Sequence, residues 1–211
     1  MSAAELKPVV IWDVGAVLLR WRPAVLLQRV LPRHAHDEAS ALALARRFFV
    51  EGGDWGAYDR GDVEEAALAQ RIAHRTGLTE ADVHTVIQAV PDELQPLPDS
   101  VELLHALRQR GLKQYFFSNM PLGYAAHIEK AHGFFGLFHG GLFSARVRRM
   151  KPEREFYELA HERFNLAGRS AIFIDDSPAN IQAAREFGWN AVLFRDIQQV
   201  AGELKALGMA C

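Results

Sequence analysis

Three short apolar runs in this chain each stop at residues that can do chemistry. Val9 to Trp12 stops at Asp13, Tyr115 to Phe117 at Ser118 and Asn119, and Ala171 to Ile174 at the adjacent acids Asp175 and Asp176. Lys151 follows a basic stretch and precedes Pro152. Brought together, these groups would supply carboxylates, a hydroxyl, an amide and an ammonium. A carboxylate can attack phosphorus and form an aspartyl phosphate, provided that cations and hydrogen-bond donors offset the negative charge of both partners. Two or three carboxylates at one edge suit magnesium, a hard ion that binds oxygen, keeps several waters and polarises a phosphoryl group. Lys151 would add a point charge. Ser118 and the backbone N–H groups after it would donate to phosphoryl oxygens, so the chemistry would rest on positioning and electrostatics.

Each group also has a plainer reading. Asp13 could simply end a strand, Asp175 and Asp176 could cap the helix that follows, Ser118 and Asn119 could be turn residues, and Lys151 could be a solvated lysine. What favours chemistry is shared placement. A short, continuous apolar run bounded by polar residues reads as a buried parallel strand, and ligands of parallel sheets bind beyond the carboxyl ends of the strands. A fourth run, Ala191 to Phe194, also reads as a strand but ends at Arg195 and Asp196 with no evident catalytic role.

The elements between these runs are helical in pattern, the alternation expected of an α/β fold with helices on both faces of a parallel sheet. After Pro98, Asp99 is placed to cap a helix with Glu102 three residues on, Val101, Leu104 and Leu107 share a face, and Gly111 supplies a left-handed stop. Pro178 suits the first position of a helix that Gly188 ends. Glu153 to Asn165 keeps helical spacing through Phe156, Leu159, Ala160 and Phe164. Residues 20–94 show helical spacing throughout and no convincing strand. They are entered through Trp21, Arg22 and Pro23 and left through Pro91, Pro96 and Pro98, which suits two crossings between a core and an inserted helical module. Glu51 to Gly61, rich in glycine, reads as a turn inside that module.

Composition narrows the class. Hydrophobic residues make up 49% and charged residues 24% of 211 residues, the profile of a folded globular protein. The net charge of -2 provides no field toward nucleic acid or an anionic membrane, and a small molecule is the better partner. Cys211 is the single cysteine, which excludes an internal disulfide or a thiolate metal site and suits a reducing cytoplasm. Asp13 interrupts the first apolar run, so neither a leader peptide nor a membrane span is expected there. His34 and His36 lack partners at metal-binding spacing and read as surface residues. Trp21, Trp55 and Tyr58 could line a pocket or serve packing. Monomer and dimer are both open.

The order of IWDVGAVL, YFFSN, MKPEREFY and DDSPANIQAA resembles the haloacid dehalogenase superfamily, and the helical stretch between the first two resembles the α-helical cap of one large subfamily. That resemblance implies a three-layer, Rossmann-like parallel core of residues 1–19 and 95–211, with residues 20–94 as the cap. It implies Asp13 as nucleophile and Mg2+ ligand, the Gly15 carbonyl as a second ligand, Ser118 and Asn119 as phosphoryl contacts, and Lys151 as stabiliser of nucleophile and phosphate. Asp176, with Asp175 beside it, would complete the metal site. The sequence departs from the family at two places. Gly15 stands where most phosphatases of the superfamily carry an acid/base aspartate, a DxGxV form that resembles a branch with sugar-phosphate phosphatases. Arg148 stands where a glycine often precedes the lysine; a positive φ there would strain it, and with Arg146 and Arg149 it could serve an anionic substrate. The expected activity is hydrolysis of a small phosphorylated metabolite, such as a sugar phosphate, through an aspartyl phosphate. The rivals are a metal-independent 2-haloacid dehalogenase and a non-catalytic binding or regulatory protein on the same fold.

Overall fold

A computed structural model describes residues 7–50 and 52–209; Cys211 and the start of the segment weighed as a leader lie outside them. Strands β1 (Val9–Trp12), β2 (Lys113–Ser118), β3 (Gly141–Phe143), β4 (Ala171–Asp175) and β5 (Asn190–Leu193) form one parallel sheet in the order β3-β2-β1-β4-β5. Side chains alternate across it. Val9 and Ile11 enter a core with Phe117, Tyr157 and Phe173, while Val10 and Trp12 enter a second core on the other face. Helices cover both faces, which is why the middles of these strands are continuous apolar runs rather than alternating ones. Phe117 and Phe173 are fully buried, each contributing roughly 1.5–3 kcal/mol by its removal from water. Trp12 is buried too; its indole N–H donates to Gln114 (3.0 Å), whose amide donates to the Leu104 carbonyl (2.9 Å), so the polar atoms inside this layer are paired.

The chain moves outward from β1 through β2 to β3, then crosses back to β4 on the opposite side of β1. Connections therefore diverge between β1 and β4, the point at which open α/β sheets leave a crevice above the strand ends.

Helices α1 (Pro23–Val30), α2 (Glu38–Phe48), α3 (Asp54–Arg60), α4 (Glu65–Thr76) and α5 (Glu80–Glu93) lie between β1 and α6 (Pro98–Gln109), and among the described residues 20–94 contain no strand. The two crossings run side by side: Arg20 N–H donates to the Gln95 carbonyl (2.7 Å) and Leu97 N–H to the Leu18 carbonyl (2.8 Å). Glu93, 1% exposed, accepts from Arg20 (3.1 Å) and Arg22 (2.9 Å) and ties the second crossing to the first. The remaining helices are α7 (Leu122–Ala131), a 3-10 turn (Gly133–Leu137), α8 (Ser144–Val147), α9 (Arg154–Arg163), α10 (Pro178–Phe187) and α11 (Ile197–Ala206). Among the described residues no helix is long and apolar enough to cross a membrane.

Four local expectations change. The stretch up to Gly61 holds α3 rather than a simple turn: its glycines flank the helix, Gly53 before it and Gly61 at its left-handed end (φ 82°). Strand β3 goes unpredicted because it is three residues long and begins with Gly141, where an added Cβ would meet the Phe116 ring at 2.3 Å. Asp99 lies in the first turn of α6, but Leu97 is the N-cap and no side chain caps it, because Pro98 occupies the position that needs no N–H. Pro91 lies inside α5 instead of at its exit. A proline there removes the hydrogen bond to the carbonyl four residues earlier, and the Tyr124 hydroxyl donates to that carbonyl, Ile87, at 2.8 Å.

Candidate active site

The three expected carboxylates meet at the β1/β4 crevice. The Asp13 N–H donates to the Ile174 carbonyl (2.8 Å), which carries the strand pairing onto the acid itself. Asp175 is the last residue of β4 and Asp176 the next, and one oxygen from each of the three acids lies within 4.8 Å of the others. Lys151 reaches them from the loop after α8, its Nζ 2.9 Å from Asp13 Oδ1 and 2.6 Å from Asp175 Oδ2, with the side chain 1% exposed. Its ammonium also lies 5.4 Å from the centre of the Phe173 ring, a cation–π contact within a dry setting.

Neighbouring groups fix each orientation. Asp13 Oδ1 accepts from the Val14 N–H (2.7 Å) as well as from Lys151, and Ser118, itself buried, hydrogen bonds to the same carboxylate. Asp175 accepts from the Ser177 N–H (2.8 Å) and from Asn180 Nδ2 at 3.0 and 3.1 Å. The Asn119 amide donates to the Lys151 carbonyl (3.0 Å) and accepts the Lys151 N–H (2.9 Å). Both ends of the Asn119 amide hold the lysine loop, so this side chain positions Lys151 while also lining the cleft. Arg148 has φ 52°, the strained left-handed conformation its place in the motif implied.

Burial of this cluster sets its electrostatics. The Asp13 carboxyl is raised to about 7: loss of water pushes it up most, Lys151 pulls it down, and Asp175 and Asp176 push it up. Burial alone would lower the Lys151 ammonium, but Asp13 and Asp175 outweigh it and hold the group above the ordinary lysine range. Three carboxylates against one ammonium leave two negative charges when all are ionised, which a divalent cation balances. Oxygen donors of this kind fit magnesium. Asp175 is wholly buried and its oxygens are engaged, whereas Asp176 is exposed at the mouth of the cluster.

Residues 11–188 match the family described as haloacid dehalogenase-like hydrolases. This chain belongs to that family. It is 25% identical over 197 residues to the sesquiterpene phosphatase astK of Aspergillus oryzae, covering 93% of this chain and 94% of that protein. A haloacid dehalogenase family enzyme of Bacteroides thetaiotaomicron, crystallised with magnesium and inorganic phosphate, shares the fold at a TM-score of 0.67 and 18% identity, covering 92% and 98% of the two chains. The L-2-haloacid dehalogenase of Xanthobacter autotrophicus, crystallised with chloropropionic acid covalently bound, does so at 0.66 and 17% identity, covering 95% and 83%.

In this haloacid dehalogenase-like hydrolase Asp13 and Asp176 lie on the floor of a cleft of about 610 Å³, with Asp175 buried beneath it. Gly15, Ser118, Asn119, Lys151 and Asp176 line the floor with Asp13. The helical segment and α7 supply the opposite walls, among them Trp21, Phe49, Trp55 and Tyr124. Tyr58 does not line the cleft; it packs edge-on against Trp55 and Tyr124. The basic run does not line it either: Arg146 is paired with Glu129, and Arg148 and Arg149 are exposed. His34 and His36 are exposed, as their lack of spaced partners implied.

Sequence reasoning passed over three residues in or supporting the site. Asn180 stands inside the quoted DDSPANIQAA motif, yet its grip on Asp175 shows only once the first turn of α10 is folded under β4. Glu93 and Tyr124 carry no motif, and their partners lie 71 and 37 residues away in sequence.

Proposed function

We propose that this hydrolase is a magnesium-dependent phosphomonoesterase that acts on a small phosphorylated molecule through an aspartyl phosphate at Asp13. One observation carries the proposal: Lys151 is held between the buried Asp13 and Asp175 while Asp176 stands exposed beside them, so that oxygens of three carboxylates converge within 4.8 Å. Magnesium bound there would neutralise their charge and polarise the phosphoryl group. Asp13, Asp176 and the Gly15 carbonyl would hold it. Asp175, gripped by Asn180 and Lys151, would serve mainly as the lysine's anchor.

An Asp13 carboxylate oxygen attacks phosphorus, the ester P–O bond breaks, and the alcohol leaves. Water then attacks phosphorus, releasing phosphate and restoring the carboxylate. Lys151 keeps its proton and acts as a fixed charge on Asp13 and the phosphoryl oxygens, with the Ser118 hydroxyl donating nearby. Gly15 offers no acid, so the leaving oxygen takes its proton from solvent. Residues 20–94 serve as a cap over a core of 1–19 and 95–211, excluding water and selecting substrate. A 2-haloacid substrate fits less well, because its carboxylate would meet the exposed Asp176 beside Asp13 and Asp175, three acids with one lysine among them.

The test is hydrolysis of an aryl phosphate by purified protein with magnesium, with chelator, and with Asp13→Asn. The proposal requires turnover that is lost in both the chelated and the substituted protein. Halide release from 2-chloropropionate that chelator leaves untouched would replace it with the dehalogenase reading, and magnesium binding without turnover of any phosphate ester would favour the binding protein.

A further inference from the structure

The cleft has two unlike ends. Its floor is charged, but the walls beyond it are built from Trp21, Ala45, Phe49, Trp55, Val90 and Leu94. Phe49 meets Trp21 edge-on at 5.1 Å and Trp55 edge-on at 4.6 Å, which makes a continuous aromatic wall rather than scattered rings. The apolar surface continues to the rim, where Val25 and Leu42 line the cleft and are 44% and 43% exposed. Val25 and Leu42 thus carry the apolar lining of the cleft out to its edge. Beyond the floor, the charged wall residues are Arg22, Arg46 and Asp59, and Arg22 is already held by Glu93.

A site built for a sugar would need several side chains placed to pair its hydroxyls, because each one left unpaired in a closed cleft weakens binding. These walls offer few: beside Arg22, held by Glu93, they carry Arg46 and Asp59, and the lining around Trp21, Phe49 and Trp55 is apolar or aromatic. Resting on the phosphomonoesterase reading for the charged floor, we infer that the group esterified to phosphate is an extended apolar chain, alkyl or alkenyl in character, lying along the Trp21–Phe49–Trp55 wall and reaching Val25 and Leu42. A cleft of about 610 Å³ lies within the range that buries most of a ligand of that size.

Two chain-length series test this. In the first, butyl-, hexyl- and octylphosphonate are titrated into the protein with magnesium and followed by calorimetry. Affinity should rise by about twofold to fourfold for each methylene entering the cleft, and inorganic phosphate should compete. Leu42→Asp, an exposed position that the fold can tolerate, should weaken octylphosphonate more than butylphosphonate. In the second, kcat/KM is measured for phenyl phosphate and its 4-butyl and 4-hexyl derivatives, whose leaving groups are nearly equal in acidity, with glucose 6-phosphate alongside. A steady rise with chain length supports the inference. A flat series in both, or a preference for glucose 6-phosphate, overturns it. Failure of the underlying reading looks different: phosphonate affinity that rises with chain length while no ester turns over keeps the apolar site and removes the phosphatase.

Discussion

Asp13 is a carboxylate buried beside two others, and on the proposed magnesium-dependent reading its ionisation would connect folding to metal binding. In the folded, metal-free protein it titrates near 7 instead of the usual 3.8, because burial and the neighbouring acids disfavour its charge more than Lys151 favours it. With its folded value raised, Asp13 contributes stability that is fully present below the unfolded value and is lost as pH rises through about 7. Magnesium needs the ionised form. The rise in Tm on adding magnesium should therefore be larger at about pH 8 than at about pH 5, and Asp13→Asn should flatten that difference; equal shifts in the wild-type protein at both pH values would contradict the account. Gly15 provides a second expectation at this scale. A Cβ there would meet nothing within 4 Å, so the position has room for a side chain. Gly15→Asp should leave the fold intact and supply the missing acid, raising kcat for alkyl phosphates at least about tenfold while changing aryl phosphates, whose leaving groups need no proton, far less. Equal effects on both substrates would show that leaving-group protonation does not limit the wild-type protein. Asp13, Ser118, Asp175 and Asp176 were legible in the sequence because each directly follows or ends an apolar run. The work of Asn119 was not, since its partner is a backbone 32 residues away.

Helix α5 shows how an element can break a local rule when a neighbour compensates. Pro91 deprives the Ile87 carbonyl of its helical partner, and the Tyr124 hydroxyl from α7 replaces it. Tyr124→Phe should then leave a buried carbonyl unpaired at a cost of about 1–3 kcal/mol, measured by denaturant unfolding. In a Pro91→Ala background, where residue 91 regains its N–H, the same substitution should cost much less. Equal costs in the two backgrounds would exclude the compensation. The sequence placed a boundary at Pro91 because propensity alone cannot register a hydroxyl arriving from another helix. For a similar reason β3 was unreadable, since Gly141 gives no apolar signal and is required by the approach of the Phe116 ring. The other four strands were legible, as each carries a continuous apolar run packed between helices on the two faces of the sheet.

At the scale of the molecule, the helical segment and the sheet meet across two neighbouring crossings, and Glu93 joins them. It is buried and accepts from both Arg20 and Arg22, whose side chains are 34% and 50% exposed and can return to water. Glu93→Ala should thus cost only about 1–3 kcal/mol in stability. Its larger effect should fall on the placement of the walls over the catalytic floor, raising KM more than it lowers kcat; an unchanged KM would remove Glu93 from that role. The helical run of residues 20–94 was legible from its spacing and flanking prolines, whereas this clasp and the apolar lining of the cleft were not, because both are assembled from distant residues. The central claim remains the bond formed at Asp13. Wild-type protein turning over an aryl phosphate with magnesium should be quenched in acid, reduced with borohydride and digested. An acyl phosphate is reduced to the alcohol, so the peptide carrying Asp13 should contain homoserine at that position in proportion to the trapped intermediate. Steady turnover with an unmodified Asp13 peptide, or with the reduced residue at another acid, would contradict the account.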